Sequence, residues 1–135
     1  MRSLILGIAM MSPLAASAQC WVVSNLHGYG AMELDKYEFS TDRITNGVFQ
    51  IAIDGDKANL FNVGSSLVGS GLMYIPLADN TMTGIYKDLE KTTIETWSIT
   101  QDNKVMYTKV INSSTIGSST KAFVGDIVGT CTTKP

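Results

Sequence analysis

The chain has 135 residues, with 10 Lys+Arg against 12 Asp+Glu and a formal charge of −2. That length fits one domain rather than two. Without a basic excess or a basic block it has nothing to neutralise nucleic-acid phosphates or an anionic membrane surface, and an apolar fraction of 44% argues against disorder.

Residues 1–18 read as a secretory signal peptide. Arg2 supplies the positive n-region, residues 4–14 an apolar run broken only by Gly7, Ser12 and Pro13, and Ala16-Ser17-Ala18 the small residues before a cleavage site. The run is too short to cross a hydrocarbon core of about 30 Å as a helix. Cleavage before Gln19 leaves a single domain over 19–135, placed in the periplasm or outside the cell, with no later stretch apolar enough to span a membrane.

Beyond the leader the pattern alternates strand and turn. Residues 21–26 predict the first strand. Residues 31–39 are the best helical candidate, with 36–40 already reading as the next strand. A hairpin follows over 47–54 and 56–63. Asp54-Gly55 is taken as its two-residue turn, because that pair tolerates the positive φ of a type I′ turn. Phe49, Ile51, Ile53, Ala58 and Leu60 then share one face. Strands are expected over 72–77 and 81–87, with a single helical turn over 88–92. A second hairpin joins 93–101 to 104–111 through Asp102-Asn103. A two-residue loop there sets Ile99 opposite Met106, Trp97 opposite Thr108 and Glu95 opposite Val110. The last strand is read over 121–131.

Cys20 and Cys131 are the only cysteines. An even count in an exported chain predicts a disulfide, which would tie the first strand to the last. Short antiparallel strands whose ends are joined predict an all-β fold: an up-and-down meander of about eight strands closing into a small barrel. A two-sheet sandwich is the alternative.

The residues exclude several chemistries. His27 is the only histidine, no G-x-S-x-G elbow is present, and two cysteines with one histidine do not complete a zinc set. Asp54-Gly55-Asp56 fails the calcium-loop pattern at Ala58 and Ser65. Glu33 and Asp35 read as solvated surface carboxylates. The sequence therefore implies no enzyme, no cofactor and no metal. Glu95 stands apart, because the predicted register points it to the apolar side with Trp97. A buried carboxylate must have a partner, reach water at a barrel mouth, or meet a ligand. Glu95, Trp97, Met106 and Phe49 are the candidate ligand-binding residues.

Ser70-Gly71-Leu72-Met73-Tyr74 resembles the Ser-Gly-x-x-Tyr motif of the bacterial inhibitors of C-type lysozyme, small exported barrels whose serine enters the lysozyme cleft. The resemblance implies an inhibitor loop containing Ser70, Gly71 and Tyr74. It covers five positions, and that family's later Lys-Gly element has no counterpart here. The entry Gly-x-Trp and late Arg of lipocalin-like barrels are also missing. The leading expectation is a non-enzymatic exported barrel that binds a small apolar molecule or a protein partner. An exported enzyme inhibitor and a structural envelope protein are the alternatives.

Overall fold

The computed structural model describes residues 18–63 and 71–131. The leader, apart from Ala18, and Ser70 lie outside the described residues. The chain forms strands β1 (Gln19–Met32), β2 (Ser40–Arg43), β3 (Phe49–Asp54), β4 (Lys57–Asn62), β5 (Met73–Ala78), β6 (Thr81–Lys87), β7 (Lys91–Ile99), β8 (Lys104–Ser113) and β9 (Ser119–Thr130). Every pairing is antiparallel, in the order β4-β3-β1-β9-β8-β7-β6-β5. The short β2 lies beside the second half of β1, on the edge whose first half holds β3. β4 and β5 end the order and touch each other, so the sheet is a nearly closed barrel.

Closure follows the expected route. β1 and β9 pair from Trp21–Thr130 to Met32–Ser119, and the Cys20–Cys131 disulfide pins one end of that ladder. The ladder holds two irregularities that the sequence hides, one between Val22 and Val23, where Val128 is an extra residue on β9, and one between Ser24 and His27. Asn25 and Leu26 together face Gly125, and Asn25 takes φ 58°. This bulge turns Leu26 into the core, where it is 1% exposed.

Five local expectations need correction. Residues 31–39 are not an α-helix: β1 runs on through Met32 because β9 pairs with it that far, and a single 3-10 turn follows at Glu33–Asp35. The next strand starts at Ser40 rather than residue 36, since Lys36 and Tyr37 are left-handed, with φ of 53° and 61°. Residues 89–90 are a bend rather than part of a helical turn. There Asp88 Oδ1 accepts the N–H of Glu90 at 2.8 Å and of Lys91 at 2.7 Å, and the chain enters β7 at Lys91.

Finally, both hairpin registers differ from the prediction. In the first, Asp54 pairs with Lys57, so Gly55-Asp56 are the central residues and only Gly55 has positive φ, 59°, as in a type II′ turn. That moves the register by two, so the inward set survives. In the second, Ile99 pairs with Val105 across Gln101-Asp102-Asn103, with Asn103 at φ 60°. A left-handed third residue closes a three-residue loop. The register moves by one, which reverses both faces of β8. Val105, Tyr107 and Lys109 point inward, and Met106 points outward, 48% exposed.

Residues directly opposite across a ladder face the same side, so the interior is read in layers. One layer runs Met82–Trp97–Tyr107–Phe123–Gly28. It is mainly apolar and packs on Val23, Leu26, Phe49, Ile51 and Val105. Its aromatic rings form a chain: Phe49 to Trp97 at 5.4 Å, Trp97 to Tyr107 at 4.5 Å, and Tyr107 to Phe123 at 5.7 Å. Tilted contacts of this kind add stability beyond the area they bury.

Candidate functional site

The adjoining layer is polar. It runs Tyr74–Gly84–Glu95–Lys109–Lys121–Gly30 across six strands. Glu95 is completely buried. A lone carboxylate there would be very costly, so its neighbours decide whether the fold tolerates it. Trp97 Nε1 donates to Glu95 Oε1 at 2.9 Å, and the Tyr74 hydroxyl donates to the same oxygen. The Tyr107 hydroxyl donates to Oε2 at 3.3 Å, and the Lys109 ammonium lies 3.3 Å from Oε2.

Strand geometry explains each partner. Trp97 is two residues along β7, on the same face as Glu95. Lys109 is directly opposite on β8. Tyr74 is two strands away and reaches Glu95 across Gly84; a Cβ on Gly84 would stand 2.6 Å from the Tyr74 ring. Glycine at 84 is thus the groove through which the tyrosine passes. Burial first, and then the charge of Glu95, push the Tyr74 and Tyr107 hydroxyls well above the ordinary tyrosine range. Both phenols stay protonated and act as donors.

A second ion pair sits nearer solvent. Lys121 Nζ lies 2.7 Å from Asp42 Oδ2, with the side chains 32% and 35% exposed. Burial raises the Asp42 carboxyl, but hydrogen bonds from Lys121 and from the Arg43 N–H outweigh it and leave it below its usual value. Lys109 and Lys121 are directly opposite on β8 and β9. Each lysine thus has its own carboxylate: Lys109 has Glu95 in the same layer, and Lys121 has Asp42, which pairs with Gly28 of the apolar layer.

The third layer, Tyr86–Thr93–Ile111–Ser119–Met32, forms the wall of the barrel mouth. A cavity of about 690 Å³ opens there, lined by Met32, Leu34, Ile111, Ile116, Ser119 and Lys121 among others. Its rim is clamped between the 3-10 turn and the β8–β9 loop. Glu33 N donates to Ser118 O at 2.9 Å, and Ser118 N donates to Glu33 Oε2 at 2.9 Å. The volume falls within the range of small-molecule sites, and the lining mixes four apolar side chains with Glu33, Lys121 and a run of Ser and Thr.

The structure brings Glu95, Trp97 and Phe49 together and leaves Met106 on the outside. Gly71 stands in a turn at φ 76°. Tyr74 is half-buried and committed to Glu95. His27 lies within β1, exposed, with Nδ1 2.7 Å from the Asn25 carbonyl. Sequence reasoning missed Lys109, Lys121, Tyr107 and Asp42 as interior residues. The correct β8 register would have found Lys109 and Tyr107. Among the described residues no His/Cys/Asp/Glu group is arranged to hold a metal, and no helix is long and apolar enough to cross a membrane. Comparison with family models, curated proteins and solved structures finds no match to this chain.

Proposed function

We propose that the protein is an exported, non-enzymatic binder of a small molecule, which it holds in the barrel mouth. The observation that carries this reading is the cavity of about 690 Å³ at the end of the barrel, lined by residues of β1, β8 and β9 together with the 3-10 turn and the β8–β9 loop. The site moves from the position the sequence suggested. Phe49 and Trp97 are fully buried and packed on each other, so the neighbourhood of Trp97 is occupied by protein. The layer that holds Glu95 reaches the cavity through Lys121. The Arg2-led apolar leader and the Cys20–Cys131 bond both support export.

Titration of the folded protein with N-phenyl-1-naphthylamine tests the reading. One equivalent should bind with enhanced fluorescence. Ile111→Trp, which fills the cavity, should abolish binding while leaving the circular dichroism unchanged, and Ser119→Phe serves if that variant does not fold. Absence of stoichiometric binding, or equal binding by a folded cavity-filled variant, refutes it. Export is checked separately by sequencing the exported product, whose first residue should be Gln19.

A further inference from the structure

An antiparallel sheet with one face in water sends its apolar side chains in and its charged ones out. At mid-strand, β7 and β8 do the reverse. Glu95 and Lys109 point inward, and their chain neighbours Ile94 and Val110 point outward, 47% and 50% exposed. The outer row that holds these two is apolar across four strands. Met73 pairs with Ile85, Ile85 with Ile94, and Ile94 with Val110, so four exposed side chains stand side by side. Two residues along, Thr83, Thr96 and Thr108 pair in the same way and make a hydroxyl row. The row after that carries Ser98, Met106 and Val124. Among the described residues no charged side chain interrupts these rows. Lys87 lies beyond one end, and the Lys104–Asp126 ion pair closes the other. Contiguous exposed apolar surface of this kind marks an interaction site.

The order of the rows points to what covers them. A two-fold axis laid along the seam between β7 and β8 brings a second copy face to face and sets each row on itself. Ile94 then lies over Val110 of the second copy, twice by symmetry, and Thr96 lies over Thr108. Apolar meets apolar and hydroxyl meets hydroxyl at the centre. Two copies of this acidic chain, each with a formal charge of −2, can meet here with no like charges opposed. Strands β5 to β9 at ~4.8 Å spacing, over about seven residues at ~3.4 Å each, make a wall of about 570 Å² per copy. A pair of such walls buries about 1,150 Å², the low end for a specific interface, where association is weak and reversible. We infer that this outer wall docks a second copy of the chain, forming a weak two-fold dimer. None of the wall residues lines the cavity at the barrel end, so the dimer leaves that cavity open.

Sedimentation equilibrium of the folded protein, with the disulfide intact, tests this. The mass should rise from one copy to two, with a Kd of about 10–100 μM. The Kd should stay within about twofold between ~50 mM and ~500 mM salt, because the wall carries no charge. Ile94→Lys and Val110→Asp should each raise the Kd at least about tenfold without changing the circular dichroism, and Ile85→Lys serves if either does not fold. Leu34→Lys, at the cavity rim, should leave the Kd unchanged. An equimolar mixture of the Ile94→Lys and Val110→Asp variants should associate more tightly than either alone, since the introduced charges face each other across the axis. A monomer at every concentration overturns the proposal, as does a dimer that Ile94→Lys weakens no more than Leu34→Lys. A mixture no tighter than its components overturns the placement of the axis. Monomers that co-sediment with phosphatidylcholine vesicles, and lose this in Ile94→Lys, would assign the wall to a membrane surface and overturn the dimer.

Discussion

Glu95→Gln is the sharpest perturbation of this interior, because it keeps the shape of the side chain and removes one charge. Trp97 and Tyr74 both donate to Oε1, and a glutamine oxygen in that place still accepts them. A hydrogen bond to a charged group contributes ~1.5–3 kcal/mol and a neutral one ~0.5–1.5, so each of these two bonds loses roughly 1 kcal/mol. At the Oε2 position the amide NH₂ is a donor facing the Tyr107 hydroxyl and the Lys109 ammonium. Flipping the amide only transfers the conflict to the Trp97 indole. Lys109 also loses its counter-charge, and with its side chain 14% exposed, water restores only part of that. Breaking a buried pair on one side costs ~3–5 kcal/mol, and partial solvation puts this share at about 1–2. The total is about 3–4 kcal/mol, a large part of the ~5–15 kcal/mol that holds a domain together. Lys109→Met alone leaves Glu95 with three donors and should cost less, about 1–2 kcal/mol. The double variant should therefore be at least about 1 kcal/mol more stable than the sum of the single losses implies. Urea unfolding followed by tryptophan fluorescence, with the disulfide intact, measures all four corners of this cycle. A Glu95→Gln loss under about 1 kcal/mol, or additivity within about 0.5 kcal/mol, refutes the claim that the four partners act as one charged network.

Met106→Lys should change stability by no more than about 0.5 kcal/mol, because Met106 faces solvent, whereas Val105→Lys should prevent folding; comparable losses in thermal melts would mean that the β8 register is wrong. Opening the Cys20–Cys131 bond, whose partners are separated by 111 residues, should cost roughly 4–5 kcal/mol in the chain-entropy treatment, read as the difference in urea midpoint between oxidised and reduced protein. Alkaline pH should destabilise the protein. Tyr107 and Tyr74 are raised above the ordinary value of 10.0, so above that pH the unfolded chain loses protons that the folded one keeps. Stability is then complete below pH 10.0 and falls above it, by about 1.4 kcal/mol per pH unit for Tyr107 and by less for the more exposed Tyr74. Urea midpoints that stay flat from about pH 9 to pH 11, or that fall as steeply in Tyr107→Phe, would contradict this assignment.

The meander, its closure and the disulfide were legible because they rest on long-lived signals: alternation along the strands, turn residues between them, and two cysteines at opposite ends. The interior polar layer was not, for a local reason. Asp102-Asn103 looks like a complete two-residue turn, and nothing in the composition shows that Gln101 joins it and Asn103 adopts φ 60°. Counting the loop one residue short exchanges Tyr107 for Thr108 and Lys109 for Val110, so the partners of Glu95 appear on the wrong wall. The first hairpin tolerated a larger error because a shift of two preserves the faces. Lys121 was missed for another reason. A lysine reads as surface from its type, and only the β9 ladder, with Phe123 next along the same face, turns it inward. The residue type of Glu95 conflicts with its neighbours along β7, and that conflict marks the polar layer.

The seam between β4 and β5 makes this molecule divisible in an unusual way. The chain crosses from one to the other through residues 63–72, where the strand order has its two ends. A single proteolytic cut within 64–70 would yield two pieces, one carrying β1 to β4 with Cys20 and the other carrying β5 to β9 with Cys131. The β1–β9 ladder would still join them side by side, and the disulfide would still join them covalently. On a non-reducing gel such a nicked protein would migrate as one species, and only a thiol would reveal that the backbone had been severed.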